Sequence, residues 1–269
     1  MTRSRRVSRD LSPIAEEALV VSRDGGIVTI RFNRPDVLNA FNPEMNLRFA
    51  EILRDLRSDD ALRVLVLTGT GRAFSAGADL NALGSTLGRA AEVGYERVRA
   101  AGLRIEELRE FPRPTIAAVN GVVAGFALSL AFACDVVLAA ESARFAFSFS
   151  KIGYVPDAAV SYFLPRLTGL PRAKELYFRG ETIDAPEAAR LGLASRVIAD
   201  GELAAETERL ARTIAARPPT ALRMGKALLN RAAEADFRTV VELEAHAQGI
   251  LGTSEEHKTA VREFTKKRS

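Results

Sequence analysis

Histidine and cysteine are nearly absent from this chain: two histidines and one cysteine stand among 269 residues. His246 and His257 both lie near the C-terminus, which argues against a Ser-His-Asp or Cys-His nucleophile centre. Cys134 stands alone, so an intrachain disulfide is excluded and a reducing compartment, the cytoplasm, is expected. No cysteine or histidine cluster has zinc spacing, and no metal is expected. Charge of one sign is in small excess, with 38 Lys and Arg against 34 Asp and Glu, a net of +4. Part of that excess sits at the ends, in Arg3, Arg5, Arg6 and Arg9 and in Lys266, Lys267 and Arg268. Without an internal basic stripe, nucleic acid is not an expected partner. Residues 114–134 carry no charge, a length that raises a membrane-spanning reading. Asn120-Gly121 and Gly125 interrupt the run and Asp135 closes it, so it reads as a buried strand followed by a buried helix, with no membrane partner.

What is present suits one sizeable core: 47% of the residues are hydrophobic. Residues 1–14 read as a disordered terminus, 15–200 as an α/β core and 201–269 as a helical C-terminal module. Apolar runs at 19–22 and 27–32 flank Asp24-Gly25-Gly26, the pattern of a hairpin. Asn42-Pro43 predicts an N-cap and first helical residue ahead of the apolar spacing Leu47, Ile52, Leu53, Leu56. β-Branched runs at 64–68, 116–119 and 136–139 alternate with helical patterns at 88–109 and 127–133, which argues for parallel βαβ crossovers. After Pro156 nearly all the sequence reads as helix, with residues 195–198 the exception.

Two short loops carry the chemistry. Arg72-Ala73-Phe74-Ser75-Ala76-Gly77-Ala78-Asp79-Leu80 follows one β-branched run, and Asn120-Gly121-Val122-Val123-Ala124-Gly125-Phe126-Ala127 follows another. Each is a strand, a small-residue turn and a helix start. Small residues let a ligand approach the backbone, and helix starts offer unpaired N–H groups. Two such groups aimed at one point form an oxyanion hole; the bland alternative is two ordinary tight turns.

At these loops, and at Asn33-Arg34-Pro35, Leu38-Asn39-Ala40, Cys134-Asp135, Pro165-Arg166-Leu167 and Ala188-Ala189-Arg190-Leu191-Gly192-Leu193, the chain resembles the crotonase superfamily, the enoyl-CoA hydratase/isomerase family. The resemblance covers nearly the whole chain. It implies an α/β fold with a crotonase-like spiral ββα core and a helical C-terminal trimerisation module. It further implies an acyl-CoA substrate, assembly as a homotrimer or hexamer, and no cofactor beyond the coenzyme A moiety of the substrate. By motif position the backbone N–H groups of Ala78 and Phe126 become the donors to the thioester oxygen. Phe126 departs from the family's usual glycine, with a ring that narrows the acyl pocket or tilts the loop. Contacts to coenzyme A fall to Val37, Leu38, Ala76, Asp79 and Leu80, with Phe264 and Lys267 matching a C-terminal site that reaches the cofactor in relatives. Asp79 has a second reading as a helix cap, and Phe264 and Lys267 as a helix stripe and a basic tail.

The acid–base groups set this chain apart. Family hydratases use two glutamates; the corresponding positions here are Ser129 and Phe149, neither of which can act as a carboxylate base. Asp157 stands where some isomerases of the family carry a catalytic aspartate. The run from Phe149 to Asp157 is most similar to the ring-epoxide isomerases of phenylacetate degradation. One carboxylate suits moving a proton between carbons, and burial would raise its pKa. The competing reading makes Asp157 the N-cap of the following helix. Ser129 either positions water or a substrate hydroxyl, or bonds its own helix backbone. Tyr154 either lines the acyl pocket or is a core aromatic. The expectation is therefore double-bond isomerisation of an enoyl-CoA thioester. A hydratase with atypical residues, or a non-catalytic acyl-CoA binding protein, are the alternatives.

Overall fold

The computed structural model describes residues 18–79 and 91–266. The expectations for residues 1–14, Leu80 and Lys267 lie outside them.

The hairpin forms as expected, with β1 (Leu19–Asp24) antiparallel to β2 (Ile27–Phe32). From β2 onward the large sheet is parallel, through β3 (Val64–Gly69), β5 (Thr115–Val119), β7 (Val136–Ala140) and β10 (Arg196–Ile198), in the order β1-β2-β3-β5-β7-β10. Strands β3 and β5 are buried along their whole length, which explains their unbroken β-branched runs.

A second sheet accounts for the spiral. Its order is β4 (Ala73–Ser75), β6 (Val122–Ala124), β8 (Arg144–Ala146) and β9 (Thr182–Asp184). Each of β3, β5 and β7 runs on, after a short turn, into a strand of this second sheet. Sequence analysis assigned residues 73–75 and 122–124 to loops; they are three-residue strands, too short to show a period of two.

Helix α1 (Pro43–Arg57) begins as expected: the Asn42 side chain accepts a hydrogen bond from Met45 N at 2.8 Å. Its buried Met45, Phe49, Ile52 and Leu53 join the core. Helix α2 (Ala91–Arg109) packs on α1 and on α3 (Phe126–Phe132). The charge-free run of 114–134 is thus divided among β5, β6 and α3. Among the described residues no helix is long and apolar enough to cross a membrane. Helices α4 (Val160–Thr168) and α5 (Leu170–Arg179) stand between β8 and β9, α6 (Ala185–Arg190) follows β9, and α7 (Leu203–Ala215) lies across β2, β3, β5 and β7.

The last three helices, α8 (Pro219–Ala232), α9 (Phe237–Gly252) and α10 (Glu255–Lys266), bury no residue within the chain. Leu229, Phe237, Ile250 and Phe264 are exposed there. Polar anchors hold α8 to the core. Lys226 Nζ pairs with Asp135 at 2.8 Å, and Asp135 also accepts from Thr115 N at 2.7 Å and Thr115 Oγ1 at 2.9 Å. Just past the end of α8, Glu234 accepts from Arg109 at 2.9 Å and from the Tyr162 hydroxyl on α4.

Candidate active site

The two loops meet. Gly77 has φ +90°, and a Cβ added there would lie 2.6 Å from Ala124 O and 3.1 Å from Phe126 N. Only glycine lets the first loop approach the second this closely. The first loop is held from behind by the segment after β2: Ala76 N donates to Leu38 O at 2.8 Å, Phe41 N to Gly77 O at 2.7 Å, and Asp79 N to Phe41 O at 3.0 Å. Successive N–H groups of an extended backbone alternate in direction. With Asp79 N–H turned to Phe41, the Ala78 N–H points the other way. Phe126 opens α3, where helix geometry leaves its N–H without an intrahelical acceptor. Among the described residues neither N–H donates to any acceptor. Two unpaired donors on adjoining loops can stabilise negative charge on one oxygen.

The Phe126 ring does not do what its position suggested. It is buried against Phe41, with ring centroids 5.4 Å apart at 70°, and Phe41 in turn packs on Phe32 and Phe49. The side chain enters the core and leaves only its main chain to the loop. Space for the ring comes from the aromatic cluster under α1.

Asn39 keeps this scaffold in register. It is fully buried at φ 57°, its Oδ1 accepts from Arg34 N at 2.8 Å, and its Nδ2 donates to Thr70 O at 3.0 Å and Ala73 O at 2.7 Å. Ser75 Oγ donates to Asn39 O at 2.8 Å. Asn120 performs the same service between the loops, accepting from Gly69 N at 2.9 Å and donating to Gly71 O at 2.8 Å. Of the expected coenzyme A contacts, Val37 ends an exposed 3₁₀ turn (Pro35–Val37), and Leu38 and Ala76 are joined by a hydrogen bond. Asp79 pairs with Arg34 at 3.1 Å. Phe264 is 60% exposed on α10, which packs on α9.

Asp157 is half-buried in the turn between the 3₁₀ segment Ser148–Ile152 and α4. It is not a helix cap: Ala159 holds the N-cap position and no side chain caps that helix. Nor does its carboxylate make any hydrogen bond to another side chain or an ion pair within 4.0 Å among the described residues. Burial pushes the carboxyl above its ordinary pKa, opposed by the field of Arg97 on α2 and by its own backbone N–H. The turn is strained, because Ala158 and Ala159 have φ 46° and 72°. Together with Leu38 and Asn39 these are the four non-glycine residues of positive φ among the described residues, and all flank the candidate site.

Ser129, one turn into α3, is 0% exposed, and its Oγ has no hydrogen-bond partner among the described residues. The expected bond to its own helix is therefore not made. Phe149 is buried and Tyr154 is 37% exposed, accepting a hydrogen bond from Tyr177 on its carbonyl. Cys134 is buried and its thiol is pushed up to about 12, mainly by desolvation and then by Asp135, so it is inert. Sequence analysis missed Arg97, one of several arginines on a helix whose buried residues, Ile105 and Leu108, lie in its last two turns.

The sequence profile of the Enoyl-CoA hydratase/isomerase family matches residues 22–269. The chain is 38% identical over 245 residues to a 1,2-epoxyphenylacetyl-CoA isomerase of Escherichia coli K12, covering 91% of this chain and 94% of that one. It is 31% identical to a short-chain-enoyl-CoA hydratase of Clostridium acetobutylicum, covering 93% and 95%. Among solved structures, an enoyl-CoA hydratase from Bacillus anthracis superposes with TM-score 0.88 at 30% identity, over 93% of this chain and 96% of that one.

Proposed function

The chain belongs to the enoyl-CoA hydratase/isomerase family, and from that premise we propose that it shifts a carbon–carbon double bond in an enoyl-CoA thioester, with Asp157 as the single proton carrier. The thioester oxygen sits between the Ala78 and Phe126 N–H groups. The Asp157 carboxylate takes a proton from the carbon next to the thioester. The electron pair flows onto the thioester oxygen, and the resulting dienolate is held by the two donors. Asp157 then returns the proton to the carbon at the far end of the conjugated system, which moves the double bond and regenerates the carboxylate. No oxidant, reductant or metal enters this cycle, and the only cofactor portion is the coenzyme A of the substrate.

One observation carries the reading. Asp157 is a half-buried carboxyl, raised in pKa and without a side-chain hydrogen bond or ion pair among the described residues, in a region where Ser129 and Phe149 supply no base. The relatives named as isomerase and as hydratase are both compatible with the fold. Ser129 supports a second reading, since its unpartnered hydroxyl suits a bound water, and water addition would make the protein a hydratase. The exposed apolar residues of α8, α9 and α10 support assembly as a trimer or hexamer through that face. Asp157→Asn separates enzyme from binder: it should abolish turnover and keep affinity for a saturated acyl-CoA. Turnover equal to the parent protein's would defeat the reading.

A further inference from the structure

The peptide groups on both sides of Asp157 are held by hydrogen bonds. Pro156 comes first: its ring fixes φ, so ψ is the one soft dihedral left to turn the peptide group that joins it to Asp157. That peptide group is held through its carbonyl, because Ser161 Oγ donates to Pro156 O at 2.7 Å. Ser161 is the second residue of α4, and its hydroxyl reaches five residues back along the chain to make this bond. On the other side Val160 N donates to Asp157 O at 2.9 Å, which holds the peptide group that follows. Between the two bonds Ala158 and Ala159 sit at φ 46° and 72°, a conformation that persists only where its surroundings impose it. Further upstream the Tyr177 hydroxyl donates to Tyr154 O at 3.3 Å, on a peptide group two residues removed. Ser161 is exposed and adds no packing to the core, so its hydroxyl is what a change to alanine takes from the turn. Aspartate is a short side chain, and a rotation about the Pro156 ψ carries its carboxylate with the backbone.

We propose that Ser161 is a positioning residue for the proposed reaction: by fixing the Pro156–Asp157 peptide group it aims the Asp157 carboxylate at the acyl carbons. The inference rests on the reading of Asp157 as proton carrier and deepens it. Ser161 touches no reacting atom; it acts through the backbone of Asp157.

Steady-state kinetics on an enoyl-CoA, beside calorimetric binding of a saturated acyl-CoA, test this in Ser161→Ala, Ser161→Thr, Thr213→Ala and Asp157→Asn. Thr213 is the control, an exposed hydroxyl on α7 that donates to Arg209 O at 2.8 Å. Ser161→Ala is expected to lower kcat about 10-fold, less than the roughly 10²-fold of a 1 Å misplacement because the Pro156 ring and the Val160 bond remain. Its affinity for the saturated acyl-CoA stays that of the parent. Ser161→Thr keeps the hydroxyl and restores kcat, and Thr213→Ala leaves kcat unchanged. The parent's kcat in Ser161→Ala, with Asp157→Asn inactive, overturns the proposal and leaves the Asp157 reading intact. So does a loss of kcat that Ser161→Thr shares, that Thr213→Ala matches, or that comes with an equal loss of affinity. Undiminished turnover in Asp157→Asn, or no turnover of any enoyl-CoA by the parent, overturns both.

Discussion

The Gly77→Ala substitution places a Cβ 2.6 Å from Ala124 O and 3.1 Å from Phe126 N, at a backbone with φ +90°. Ordinary carbon contacts lie near 3.5 Å, so the two loops must part by roughly 1 Å. That displacement falls on the very residues whose N–H groups are assigned to the thioester oxygen. A misplacement of this size costs about 10²-fold in rate, and loss of one oxyanion donor about 10²–10³-fold in kcat. Stability falls as well: overpacking costs about 1–3 kcal/mol and the left-handed conformation about 1–2 kcal/mol more. The assay is kcat on an enoyl-CoA beside a denaturant melt. Gly94→Ala serves as control, because Gly94 sits in α2 with nothing within 4 Å of an added Cβ. It should leave kcat unchanged and gain a few tenths of a kcal/mol to about 1 kcal/mol. A folded Gly77→Ala protein with the parent's kcat would refute the placement of the oxyanion donors.

Ser129→Ala removes a buried hydroxyl that has no partner among the described residues. The unliganded protein should become more stable by about 1–3 kcal/mol, measured by urea melt, and a loss of stability would show that the hydroxyl is bonded. Asp135→Ala leaves Lys226 with 8% of its side chain exposed and no carboxylate, and should cost about 3 kcal/mol, read as a lower Tm; an unchanged Tm contradicts the anchoring of α8. Asp157→Asn should raise stability at neutral pH. The folded-state pKa of Asp157 lies above its unfolded value of 3.8, so the folded state binds the extra proton between the two pKa values and loses stability as pH rises through that window. The gain from Asp157→Asn should therefore vanish below about pH 3.8, and a gain that persists in acid would contradict a raised carboxyl pKa.

Much of the frame is written in local pattern. The hairpin at Asp24-Gly25-Gly26, the Asn42 cap and the buried β-branched strands follow from turn chemistry, capping and burial on both faces. The second sheet is not legible, because Ala73–Ser75 and Val122–Ala124 are too short to show alternation and are strands only through pairing with each other and, for Val122–Ala124, with Arg144–Ala146. At the site, Gly77 and Gly125 announce close approach and unusual φ, while Leu38, Asn39, Ala158 and Ala159 hold positive φ with no glycine to announce it. Tertiary bonds, such as those of Asn39, impose that conformation. The direction of the Phe126 ring is set by Phe41, 85 positions earlier, and could not be read from its own loop. Arg97 is one of many charges on its helix and gains meaning only once α2 is packed.

The most direct test of the account is proton bookkeeping in deuterated water. The protein is incubated with a 3-enoyl-CoA and a 2-enoyl-CoA, and the products are read by mass spectrometry and by the position of the label. The account predicts double-bond migration with deuterium appearing at the carbons that exchange with Asp157, and loss of both in Asp157→Asn. Water addition as the main outcome, or migration undiminished in Asp157→Asn, would contradict it.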